Sequence, residues 1–398
     1  MRIIIAIALL LLSQALVGQT KYQKDFTEFW TDFEDNYAYF ERQNIDWDKV
    51  KEIYQPIADT VHNKNDLIRL FEQVVNELHN GHVSLNVNLN TSNRIIPSGS
   101  DMMVDKLGNG YVITDLRKTF AAELCGLKPG MQVVKFNGRP IDEQLTAFLP
   151  KSAVRYNDNM YEYALAMLFA GTHDKPREIT IKQNGREVTF YPDRQRFNQD
   201  NKKLLDFSIL ANNYGYIKIN NSLANYDLIP EFDSVLDRLM GSNGLILDLT
   251  ETPGGGNTAV ARAIMGRFME RDQPYQRHEF DETKFKIKRS WIEYVSPRKK
   301  VFKNPLIVMV GHWTGSMGEG MAIGFDGMKN VRVAGTRMAG LLGAINGYQT
   351  TEMKIGYQIP VERLYHINGT PRENFVPAIP TGNIYETWER VKKIIDAR

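Results

Sequence analysis

The chain has 398 residues, 42% hydrophobic and 24% charged, with 19 Phe and 18 Tyr, which is the balance of a folded protein with a sizeable core and excludes a disordered or collagen-like chain. Lys plus Arg number 49 against 47 Asp plus Glu, a formal charge of +2, so no basic excess is available to hold a phosphate backbone and nucleic acid is not an expected partner. The single cysteine, Cys125, allows no internal disulfide and no multi-cysteine zinc site.

Residues 1–18 read as an export signal, with Arg2 as a short positive start, Ile3 to Leu12 as an apolar run and Gly18 as the small residue before cleavage. The run is too short for a stable membrane span, and no cysteine follows it to carry a lipid anchor. The expected product is a soluble protein of the periplasm or the extracellular space, free of the membrane once the signal is cleaved.

Residues 19–97 are expected to form a helical subdomain ending in a corner and a strand. Phe26, Phe29, Trp30, Phe33, Tyr37 and Phe40 recur at three- and four-residue steps, the period of one helix face. Asp46 is the predicted N-cap of a second helix and Asn65 of a third, which stops at Gly81. His82 then begins an apolar/polar alternation that runs to Leu89, the period of a half-buried strand.

Residues 98–198 change to short strands and turns, among them Tyr111 to Ile113, Gln132 to Phe136 and a hairpin at Asn184-Gly185. From 199 to 398, buried-type strands such as Gly244 to Leu249 and Pro305 to Val310 alternate with helices, the order of an α/β domain with a largely parallel sheet.

Two turns follow those strands, and in open α/β sheets ligands bind at the C-terminal strand ends. Thr252-Pro253-Gly254-Gly255-Gly256-Asn257 leaves backbone open to close approach, and Ser316, between small residues before a predicted helix, can project its hydroxyl while the following N–H groups meet a developing negative charge. Taken alone, a serine so placed is more often an N-cap, and a glycine cluster is usually a turn. Gly254-x-Gly256-x-x-Ala259 fits a dinucleotide fingerprint in form, but Pro253 precedes it and an export signal heads the chain. Thr314 stands where the nucleophile elbow of esterases needs glycine. His79 and His82 lack the glutamate of a zincin motif, so neither metal nor cofactor is expected. His312, close to Ser316 in the chain, is a candidate base, though beside Trp313 it reads more readily as a cleft or packing residue.

The run from Ala121 to Gly138 resembles PDZ domains, with Met131 in place of the usual Asp; such domains add peptide C-termini to a sheet edge. Leu78-His79-Asn80-Gly81-His82-Val83, Gly215-Tyr216-Ile217, Leu245 to Gly255, Thr314-Gly315-Ser316-Met317-Gly318-Glu319 and Glu373 to Ala378, in that order, resemble the serine-peptidase family of C-terminal processing (tail-specific) and tricorn core proteases. The resemblance implies a crotonase-like α/β catalytic domain preceded by a PDZ-like insert, and hydrolysis of polypeptides through a Ser316 ester. It implies an oxyanion hole from the N–H groups of Gly255 and Met317. Leu341 stands where tail-specific members carry their lysine base, so the resemblance is to the tricorn-like branch, with His82 as base and Glu373 as its distant orienter. Gly81 replaces the bridging serine of that branch, leaving Ser84 or a water as the bridge. Asn80, Thr250, Thr252 and Ala378 depart from the family pattern, and an inactive homologue that binds peptides or apolar ligands is the competing reading.

Overall fold

The computed structural model describes residues 19–195 and 203–397; the segment 1–18, read from sequence as an export signal, lies outside the described residues. Among the described residues no helix is long and apolar enough to cross a membrane.

Helices Lys21–Asn36, Trp47–Ala58 and Lys64–Asn76 open the fold. Each begins where a side chain can satisfy a free N–H: Thr20 and Gln23 form a reciprocal capping box, and Asp46 accepts from Lys49 N at 3.0 Å. The third cap is Asn63, not Asn65, because it is the Asn63 side chain that accepts from Asp66 N at 3.0 Å. The aromatic stripe is buried as expected, with Phe29 stacked on Phe71 at 4.0 Å, although Tyr37 and Phe40 lie past the end of the first helix.

The alternation from His82 shrinks to a two-residue strand, β1 (Ser84–Leu85). The reason is its partner: Leu85 pairs with Tyr357, and the partner strand begins one residue before that, at Gly356, whose carbonyl takes the Asn86 N–H at 2.8 Å.

Strands β2 (Met102–Leu107), β3 (Gly110–Leu116), β4 (Gln132–Phe136), β5 (Arg139–Pro140), β6 (Ile179–Gln183) and β7 (Arg186–Phe190) form one antiparallel sheet in the order β2-β3-β4-β6-β7, with β5 beside β4. Asn184 and Gly185 both adopt positive φ, 50° and 78°, which a two-residue hairpin turn of the favoured twist requires. Helix Asp158–Ala170, capped by Asn157, was not expected in this β-rich stretch. Its Ala164, Leu165, Leu168 and Phe169 share one core with Val104, Ile113 and Ile181 of the sheet.

The remaining strands are β8 (Leu205–Leu210), β9 (Tyr214–Ile219), β10 (Gly244–Asp248), β11 (Gln273–Glu282), β12 (Ile287–Val295), β13 (Leu306–Val310), β14 (Val331–Gly335), β15 (Ala344–Gln349), β16 (Gly356–Tyr365) and β17 (Ile379–Pro380). The sheet β17-β14-β13-β10-β9-β8 is parallel except for β8. Both its faces are covered, which explains the unbroken apolar runs of β10 and β13. Leu245 and Leu247 pack with helices Leu228–Arg238, Thr258–Met265 and Met317–Asp326, whereas Ile246 and Ile307 pack with helix Ile384–Asp396. A third sheet, β1-β16-β11-β12 with β15 beside β16, joins this half to the N-terminal helices through Tyr357, Ile359 and Val361.

Candidate active site

Neighbouring parallel strands β10 and β13 end side by side, so the turns that follow them meet. Thr252 and Thr314 both donate their hydroxyls to the Leu249 carbonyl, at 2.8 and 2.9 Å. The Thr252 carbonyl in turn accepts from Gly255 N and Gly315 N, each at 3.2 Å. The two turns are thus stitched into one unit, and both threonines are fully buried in it.

Ser316 caps helix Met317–Asp326 with φ 52° and ψ −110°, a conformation that carries strain for any residue with a Cβ. The Glu319 side chain reaches back to accept the Ser316 N–H at 2.8 Å and so holds the strained turn. Gly255, at φ 65°, lies directly opposite: a Cβ there would stand 2.5 Å from Ser316 Cβ and 2.9 Å from its Oγ. Only glycine permits that approach. Met317 N is 3.3 Å from the same point and is the first N–H of the helix, where donors lack intrahelical partners.

His82 occupies the corner before β1 and is 6% exposed. Asn80 forms the corner, its Oδ1 accepting from His82 N at 3.0 Å while its amide donates to Tyr37 Oη at 3.1 Å; an aspartate would lack that second bond. The ring's Nδ1 lies 3.0 Å from the Leu342 carbonyl. A carbonyl only accepts, so Nδ1 carries the proton and Nε2 keeps a free lone pair, the form a general base needs. Burial first, then the guanidinium of Arg372, lowers the pKa of His82 to about 4, so the ring is neutral across the physiological range.

Leu341 links base and nucleophile. One of its methyls lies 3.1 Å from where a Gly81 Cβ would be and the other 3.1 Å from where a Gly315 Cβ would be, so the residues preceding His82 and Ser316 share one apolar neighbour. Among the described residues no hydrogen bond joins Ser316 to His82. The Glu373 carboxylate pairs with Arg42 at 3.0 Å, and the Leu342 carbonyl holds the place on the ring expected for the bridging Ser84 or water. Ser84 pairs in β1 with Gln358, whose side-chain amide donates to the His82 carbonyl at 2.8 Å.

Residues 213–380 match peptidase family S41, and residues 19–76 match the tricorn protease C1 domain. The two matches identify the chain as a serine-type peptidase of mixed α/β fold, with the S41 likeness lying in residues 213–380. Mature CPAF complexed with lactacystin shares the fold with a TM-score of 0.64 at 14% identity, covering 95% of this chain and 97% of that one. The photosystem II D1 C-terminal processing protease does so with a TM-score of 0.56 at 16% identity, covering 91% and 94%. No curated protein matches the chain.

The contacts of several groups in this serine-type peptidase were not legible in the sequence. Tyr216 Oη donates to Asp248 Oδ2 at 2.7 Å, and Thr250 Oγ1 donates to Asp248 Oδ1 at 2.6 Å, so the aspartate of the strand motif is a bridge under the glycine turn. Arg372 and the Leu342 carbonyl gave no signal, because neither lies in a motif.

His312, the rival base, stands with Nε2 3.9 Å from Asp115 Oδ2 on β3. Asp115 is 1% exposed and its Oδ1 accepts from Leu116 N and Ile384 N, while Oδ2 has no hydrogen-bond partner among the described residues. Burial raises its pKa to about 7, opposed by those two N–H bonds, and burial followed by Arg337 lowers that of His312 to about 4. The folded state therefore binds the Asp115 proton more tightly than the unfolded chain, and stability from this group is lost as pH rises from the unfolded value toward 7. Asp115→Asn should gain on wild type by about 2 kcal/mol between pH 5 and pH 8. Denaturant melts at the two pH values check this; equal slopes of stability with pH in both proteins would contradict it.

Proposed function

We propose that the chain is an exported serine endopeptidase that cleaves polypeptides through an acyl-enzyme on Ser316, with His82 as general base. The observation that carries this reading is the strained Ser316 backbone pressed against Gly255, a cost that a mere helix cap does not need. His82 Nε2 takes the hydroxyl proton as Ser316 Oγ attacks the scissile carbonyl carbon. The N–H groups of Met317 and Gly255 meet the oxyanion, the latter exchanging its bond to Thr252 for one to the substrate. The C–N bond breaks as the imidazolium returns its proton to the leaving amine, and water repeats the sequence on the ester. Substrate binding is what closes the Ser316–His82 gap, as catalytic hydrogen bonds tighten in the bound complex. Glu373 acts at a distance, its carboxylate paired with Arg42. The reaction calls for no cofactor.

Within this reading the 199–398 segment is the crotonase-like catalytic domain, and 98–198 is a PDZ-like module that takes substrate C-termini at a sheet edge. Its core cluster is drawn entirely from residues 102–181, which supports independent folding. Residues 98–195 expressed alone should melt cooperatively and bind peptides with a free C-terminus but not their amidated forms. An unfolded fragment, or equal binding of both peptide forms, would refute the module.

The peptidase reading is tested by incubating the chain with a mixture of unfolded proteins and mapping new termini by mass spectrometry. New termini that depend on Ser316 are expected. Their absence, with peptides still bound, would favour the inactive binding homologue.

A further inference from the structure

Arg372 is 3% exposed, a place where a permanent charge is unfavourable unless its donors find partners; both terminal nitrogens find them, and Nε is the one left without a hydrogen bond among the described residues. Its guanidinium donates to the Ser316 carbonyl at 3.3 Å, the Leu341 carbonyl at 2.6 Å and the Gly343 carbonyl at 3.2 Å, with Glu319 Oε2 at 3.7 Å. The first carbonyl belongs to the nucleophile. The other two flank Leu342, whose carbonyl holds His82 Nδ1. Gly340 and Gly343 bound that loop at φ 68° and 73°, where backbone is freest, and between them the buried Leu341 side chain and the donors that grip the loop's carbonyls set its position. Glu319 grips from the opposite side, accepting from Ser316 N at 2.8 Å and from Gly340 N at 2.9 Å. Glutamate and arginine together clamp the serine turn to the histidine's carbonyl.

We propose that Arg372 is the positioning residue of this site, a planar fork that fixes the Leu342 carbonyl relative to Ser316 and thereby sets the tautomer and aim of His82. The proposal rests on the serine-histidine reading above. A lysine, as a point donor, cannot replace a fork that meets three carbonyls. The other charged and titratable groups around the base are already engaged: Glu319 with Arg372, Glu373 with Arg42, and His79 with the Glu77 carbonyl at 3.2 Å. Tyr37 reaches the corner only through Asn80. Arg372 is therefore the charge that faces the ring, and it opposes protonation there.

The test uses the full chain with Arg372→Met and Arg372→Lys. Arg372→Met should lower kcat on a cleaved peptide by about 100-fold, the effect of a small misplacement of reacting groups, while KM changes by less than about threefold. Its acid limb in kcat/KM should move up by about half a pH unit or more as the facing charge is lost. Arg372→Lys should keep the wild-type acid limb and recover only part of kcat. Nitrogen NMR of the His82 ring reads the same claim without turnover: wild type should show one neutral tautomer with the proton on Nδ1, and Arg372→Met a mixture that titrates at higher pH. An unchanged ring spectrum in folded Arg372→Met, or full kcat in Arg372→Lys, overturns the proposal. Should Arg372→Met fail to fold, Arg372→Lys decides it by kcat and ring spectrum. A wild-type protein that cleaves nothing defeats the catalytic reading instead, whatever the ring shows.

Discussion

Ser316→Ala is expected to abolish peptide hydrolysis, a loss of about four to six orders of magnitude in kcat, since Ser316 is the hydroxyl that stands against Gly255 to form the ester. The protein should still fold, because a half-buried hydroxyl contributes little to stability. Ser316→Gly should be as inactive and yet more stable than wild type by about 1 kcal/mol, because φ 52° with ψ −110° is strained only when a Cβ is present. Gain of stability with loss of function would mark the turn as shaped for chemistry. Near-normal turnover by a pure Ser316→Ala sample, measured on the peptide that wild type cleaves best, would remove the serine from the mechanism.

The second large effect belongs to the base. His82→Gln keeps size and a donor toward the Leu342 carbonyl but cannot carry the proton, and should cost several orders of magnitude, roughly the scale of losing a triad histidine. The pH profile adds a sharper reading. Sequence alone places the acid limb of kcat/KM near the ordinary histidine value of about 6.5. In the structure the pKa of His82 is held down at about 4 by burial and by Arg372. A base must be neutral, so activity should persist below pH 6 and fall only as pH approaches that value. A limb at about 7 to 8 would point to a depressed lysine instead. Glu373→Gln should cost far less than His82→Gln, because its carboxylate meets Arg42 and not the ring.

What the sequence made legible followed from local rules. Apolar runs of two-sided burial announced β10 and β13, and with them the place where the two turns meet. Asn-Gly announced the β6–β7 hairpin, and the aromatic period announced the first helix. The parts that were not legible depend on long-range partners. β1 is cut to two residues by where β16 begins, a fact 270 residues away in the chain. The antiparallel sheet of β11, β12, β15 and β16 has mixed polar patterns that fit no simple period. Arg372 looks like any surface arginine until the loop at 340–343 wraps its guanidinium. The sequence leaves the ring's partner open between Ser84 and a water; it is a backbone carbonyl, and no side-chain motif can reveal a carbonyl.

The most direct test of the account is covalent labelling of the purified full chain with a fluorophosphonate, followed by intact mass and peptide mapping. One adduct per chain, on Ser316, is the expected result, with no adduct in Ser316→Ala and much slower labelling in His82→Gln. A folded wild-type protein that takes no label, or a label that persists in Ser316→Ala, would contradict the claim that Ser316 is an activated nucleophile.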